Sequence, residues 1–155
     1  MKSNLAVIEV LWIGLVLVFF GIPCSAETEA PAGSIKTIES SGWIFRGDEK
    51  LAAEPGTRLF SGDLLQTGPQ GAMGIILRDN TLISMGPDSE LVLNEFIFEP
   101  REGRFSLIAE MAKGTFSFLS GMIGKLSPES ARIDTPVGTV GIRGTRFFAK
   151  VEGSR

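Results

Sequence analysis

The stretch that decides the fold is Ala131–Val151, ARIDTPVGTVGIRGTRFFAKV. Its β-prone runs, Ile133–Thr135, Val137–Thr139, Val140–Ile142 and Arg146–Val151, are separated by Pro136 and by Gly138, Gly141 and Gly144. No helix tolerates that density of glycine and proline, since each breaks the hydrogen-bond ladder or adds conformational entropy to the unfolded chain. In strands, glycine marks a bulge, a bend or a close backbone approach. The spacing therefore predicts a folded-back β segment whose glycines let strands pass without Cβ collisions. Arg143, amid apolar neighbours, must pair with a carboxylate, Asp134 being nearest in sequence, or bond several carbonyls.

Working outward, turn signals recur every 8–12 residues, the rhythm of an all-β sandwich, barrel or roll. Gly42–Gly47 and Lys50–Ala53 read as a hairpin about Gly47-Asp48. Arg58–Phe60 and Leu64–Thr67 flank Ser61-Gly62-Asp63, where Asp63 can accept backbone N–H bonds and fix the corner. Ala72–Leu77 and Thr81–Met85 flank Arg78-Asp79-Asn80, a reversal suited to positive φ. In Glu90–Glu99, Leu91 and Leu93 have one parity and Phe96 and Phe98 the other, which predicts a bulge near Asn94-Glu95. Phe105, Leu107, Ala109 and Met111 alternate as a half-buried strand, Lys113-Gly114 reads as a turn, and Thr115–Leu119 carries Phe116 and Phe118 inward. Ser120–Ser130 has no clear period and reads as a loop with one helical turn at Met122–Lys125. These readings give one all-β sandwich or roll of about 10–13 short strands, preceded by a helical signal segment.

Several of these pieces together resemble the FecR-type periplasmic domain. They are Gly-Asp-Leu-Leu-Gln-Thr at 62–67, Leu-Arg-Asp-Asn-Thr at 77–81, Gly-Pro-Asp-Ser-Glu-Leu at 86–91, Thr135-Pro136, and Val-Gly-Ile-Arg-Gly-Thr-Arg-Phe at 140–147. The resemblance covers Gly56–Val151 and makes Gly62, Asp63, Thr67, Asp79, Asn80, Thr135, Pro136, Gly141 and Gly144 the structural motif. FecR-type regulators join this domain to a cytoplasmic anti-sigma segment and a spanning helix, and relay the state of an outer-membrane transporter to a sigma factor. Here the residues before the domain look like a signal, so the resemblance implies a single periplasmic domain without the cytoplasmic half. Similar domains run on past the Arg-Gly-Thr strand into another hairpin. The resemblance thus implies either that Arg146–Val151 is left at a sheet edge or that the reading frame is truncated.

Residues 1–26 look like a separate object. Lys2 gives a positive start, Val10–Phe20 is an unbroken apolar run, Gly21 and Pro23 break it, and Cys24-Ser25-Ala26 supplies small residues for cleavage. This apolar stretch is short of the roughly 20 residues that span a bilayer. Cleavage near Ala26 leaves a flexible leader, 27–33, and a domain, 34–155, that is periplasmic or secreted. The leader's sequence is short and polar, ETEAPAG.

The composition narrows the function. Cys24 is the only cysteine, so cleavage would remove all thiol chemistry. There is no histidine, the commonest acid–base residue and metal ligand. A net charge of −3 argues against nucleic acid as a partner. The glycine-rich 138–144 segment lacks the Gly-Lys-Ser/Thr ending of a phosphate loop. The aspartates lie at turns and show no calcium-loop spacing. We therefore expect no enzyme, no cofactor and no metal, but an interaction or sensing module that binds an envelope protein, or a second copy, through a β edge. The candidate partner-binding residues are Arg143, Thr145, Arg146, Phe148 and Trp43. Two alternatives stay open: a membrane-anchored regulator with its N-terminal segment uncleaved, and a cell-wall carbohydrate-binding module built on Trp43.

Overall fold

The computed structural model describes residues 29–142 and 146–153. Residues 1–26, read from the sequence as a signal segment, and Arg143, Gly144 and Thr145 lie outside the described residues. Twelve strands follow in order: β1 (Gly33–Glu39), β2 (Gly42–Arg46), β3 (Glu49–Ala52), β4 (Arg58–Leu59), β5 (Leu64–Thr67) and β6 (Ala72–Leu77). Then come β7 (Leu82–Met85), β8 (Glu90–Glu99), β9 (Arg104–Leu119), β10 (Ala131–Thr135), β11 (Gly138–Gly141) and β12 (Arg146–Val151). Among the described residues one short α-helix, α1 (Ile123–Leu126), and a 3-10 turn, Pro128–Ser130, lie between β9 and β10. The protein is all-β, as the turn rhythm predicts.

Pairing runs β3-β2-β5-β8-β9-β7-β6-β1-β4, with β10 and β12 also on β9 and β11 on β10. All pairs are antiparallel except β10 on β9. The sheet curls because β9 belongs to both of its halves. Its first half pairs with β8 and β10, and its second half with β7 and β12. Alternation places Met73, Ile75, Leu77, Ile83, Met85, Phe116 and Phe118 on the buried face of one half. Ile44, Leu65, Leu91, Leu93, Leu107, Ala109, Met111 and Ile133 do the same in the other, and both sets join a single core cluster. Each large side chain so buried contributes roughly 1.5–3 kcal/mol.

Two sequence expectations are corrected by β9. Lys113-Gly114 is not a turn: one 16-residue strand passes through it. The burial parity changes there, from Leu107, Ala109 and Met111 to Phe116 and Phe118, because the strand bends as it leaves one half of the sheet for the other. Gly114 has φ +105°, and a Cβ there would sit 2.1 Å from Ser89 Oγ and 2.5 Å from Ser89 Cα. The strands are therefore not all short. The parity change in β8 is, by contrast, a bulge, with the register shifting between Val92 and Glu95.

The glycine-rich stretch is also corrected. Val137–Thr139 and Val140–Ile142 are not separate runs, for β11 spans Gly138–Gly141 and closes a hairpin on β10. Nothing lies within 4 Å of a Cβ built at Gly138 or Gly141, so these glycines do not ease a close passage of strands. Close approaches fall at other glycines, among them Gly114 and Gly121, where a Cβ would meet Asp79 O at 2.3 Å. Asp134 is held by Thr139 Oγ1, which donates to it at 2.7 Å, and by Arg132 at 3.4 Å. At the Arg78-Asp79-Asn80 reversal, positive φ falls on Asn80 (66°).

Candidate functional site

Three of the motif residues, Asp63, Thr67 and Asp79, are buried at corners. Asp63 is fully buried, and the Arg46 guanidinium grips it with two bonds, Nε to Oδ1 and Nη2 to Oδ2, each 2.8 Å. Phe60 N donates to the same carboxylate at 2.9 Å, and Arg46 Nη2 also donates to Arg58 O. One fork thereby ties the end of β2 to the corner before β5, where Gly62 turns with φ +85°. Sequence reading missed Arg46, which lies 17 residues from its partner and carries no local signal.

Asp79 is equally buried and accepts from Thr81 N (3.0 Å), Thr81 Oγ1 (2.8 Å) and Ile123 N (3.2 Å). Thr81 Oγ1 in turn accepts from Gly121 N. The Leu-Arg-Asp-Asn-Thr corner thus fixes the start of α1, satisfying amides a helix N-terminus leaves open. Thr67 Oγ1 donates to Gly86 O (2.7 Å) and accepts from Ser89 N (2.9 Å), and Ser89 Oγ accepts from Thr115 N (3.1 Å) beside the bend of β9. Thr135 Oγ1 donates to Gly138 O at the exposed tip of the β10–β11 hairpin beside Pro136, and Gly141, exposed too, lies at the other end of the hairpin opposite Arg132. Buried polar groups satisfied in this way are scaffold.

Two of the expected contact residues come together. Arg146 and Phe148 share one face of β12 with Lys150, all exposed, and Phe148 is 74% exposed. The alternate residues Phe147, Ala149 and Val151 pack on the core, and the Phe147 ring stacks on Phe118 at 5.1 Å. Phe148 stands beside a surface depression lined by Ser84, Met85, Gly86, Thr115, Phe116 and Ser117. Among the described residues β12 pairs only with β9, so its other side is an edge six residues long. Lys150 was missed in the sequence, although the alternation Arg146, Phe148, Lys150 shows it on the same face.

Trp43 is not part of this group. It lies half-buried on β2, which pairs with β3 and β5 and not with β12. Lys50 Nζ sits 4.5 Å from the centre of its ring, a cation–π contact that occupies one face of the indole. Among the described residues no three His, Cys, Asp or Glu side chains group as metal ligands would, and no helix is long and apolar enough to cross a membrane.

Satisfied corners, a shared bent strand and one exposed cationic–aromatic edge define an all-β scaffold that presents surface. Residues 63–155 match the FecR protein family, and the chain belongs to that family of regulatory signalling domains. Comparison with the curated proteins and with the solved structures finds no match.

Proposed function

We propose that the chain is a non-enzymatic, exported signalling module that contacts a protein partner by strand addition to β12. The observation that carries this reading is the open side of β12, where backbone N–H and C=O groups stand beside Arg146, Phe148 and Lys150. Edge addition supplies main-chain hydrogen bonds, and alternate side chains supply selectivity. The neighbouring depression offers apolar surface next to Phe148 for a partner side chain. Export to the periplasm is supported by the apolar run Val10–Phe20 followed by Cys24-Ser25-Ala26. The absence of histidine from the whole chain supports a role without acid–base chemistry.

A photo-crosslinking amino acid at position 148, expressed in cells, tests the contact. It should trap a protein adduct that the same probe at exposed Glu54 does not. No adduct at 148, or equal adducts at both positions, would contradict the edge as the contact surface.

A further inference from the structure

We infer that the strand which covers β12 is β12 of a second copy, antiparallel, with a two-fold axis beside Ala149. This rests on the reading of β12 as the contact edge, and it names the occupant of that edge.

Antiparallel pairing about a two-fold axis opposes residues whose numbers have a constant sum. Only an even sum opposes residues of equal parity. It sets outward-facing amides against outward-facing amides and keeps each side chain on its own face of the sheet. Three even registers can be compared on the residues present. Centring on Phe148 opposes Arg146 to Lys150 of the second copy, and like charges directly opposite destabilise a pair. Centring on Lys150 opposes that lysine to itself.

Centring on Ala149 makes every cross-strand pair favourable. Arg146 faces Glu152 of the second copy, an ion pair of two exposed side chains. Phe148 faces Lys150, so that a cation meets the ring that is 74% exposed in one copy. On the inner face Phe147 meets Val151, both already packed on the core and both able to extend it. The small Ala149 lies at the axis, where two backbones approach. Within one copy Glu152 is only 3.9 Å from Lys150, at the limit of an ion pair, which leaves its carboxylate available to Arg146 across the axis.

Analytical ultracentrifugation of the full chain over a range of concentrations tests the register by charge exchange. The wild type should associate reversibly to a dimer. Arg146→Glu or Glu152→Arg alone turns two attractive pairs repulsive and should weaken the dimer by about tenfold. The double exchange should restore it. Both side chains are exposed, and circular dichroism checks that each variant keeps the fold. In a second arm, Ala149→Cys in a Cys24→Ser background should oxidise to a disulfide-linked dimer, because opposed residues place their Cα atoms within disulfide range. A wild type monomeric throughout, single variants that associate as well as wild type, or a double variant that fails to recover would each overturn the inference. If the probe at 148 traps a different protein while the pure chain stays monomeric, self-pairing fails and the edge reading stands. If the probe traps nothing, both fail.

Discussion

Asp63 shows how a residue that reads as a turn-maker becomes a structural anchor. Its carboxylate is buried and takes three hydrogen bonds, two of them from Arg46. Asp63→Ala leaves Phe60 N and the Arg46 fork without their acceptor and should cost about 2–3 kcal/mol, the range for bonds to a charged group. Urea denaturation measures it, and a loss under about 0.5 kcal/mol, typical of surface changes, would contradict the anchoring role. Glu90 gives a pH dependence. A hydrogen bond from Lys113 at 2.8 Å holds its carboxyl below the ordinary value, with Gln66 adding to the effect. A carboxyl lowered in the folded state stabilises fully above its unfolded value, and the contribution is lost as pH falls through the lowered one. Melting temperature should therefore decline in acid below pH 4.5, and Glu90→Gln should flatten that decline. An acid limb unchanged by the substitution would show that the pair does not contribute. Arg46 itself was illegible in the sequence, since nothing local connects residues 46 and 63.

At the scale of elements, the strand that matters most is β9, because it alone belongs to both halves of the curled sheet. Its bend at Gly114 depends on positive φ and on a Cβ-sized space beside Ser89. Gly114→Ala would place a methyl group on Ser89 backbone in a conformation L-residues avoid, and should lower stability by more than the roughly 1 kcal/mol of an ordinary glycine replacement. A thermal melt within about a degree of wild type would refute the tight crossing. The same element shows where sequence reading succeeds and fails. A change of hydrophobic parity occurs in Glu90–Glu99 and again near Lys113-Gly114. The first is a bulge, as read, and the second is a bend inside a continuous strand, although it reads equally well as a turn. Period-two alternation reports which face a side chain takes, and only distant partners (β8 before the bend, β7 and β12 after it) decide whether the chain reverses. The hairpin about Gly47 and the strand Ala72–Leu77 were legible because their boundaries are set by local turn chemistry, and the strand Arg146–Val151 because polar Arg146 and Lys150 alternate with apolar Phe147, Ala149 and Val151. The glycines at 138 and 141 misled for the opposite reason. They lie on an exposed edge hairpin and relieve no crowding, while glycines that are crowded, among them 114 and 121, press on residues distant in sequence, Ser89 and Asp79.

For the whole molecule, the buried corners and the single core cluster hold the described strands in one curled sheet. The motif residues at 63, 67, 79 and 81 are internal, whereas Arg146, Phe148 and Lys150 on β12 are exposed. The central claim is that β12 is satisfied by β9 on one side and open on the other. Amide hydrogen exchange along Arg146–Val151, read residue by residue by NMR in dilute protein, tests it most directly. Alternate amides of an antiparallel edge strand point toward and away from its neighbour. The expected result is an alternating pattern, slow at the amides facing β9 and fast at those between, with the fast set slowing as protein concentration rises. Uniform protection of all these amides in dilute monomer, or uniform fast exchange, would contradict it.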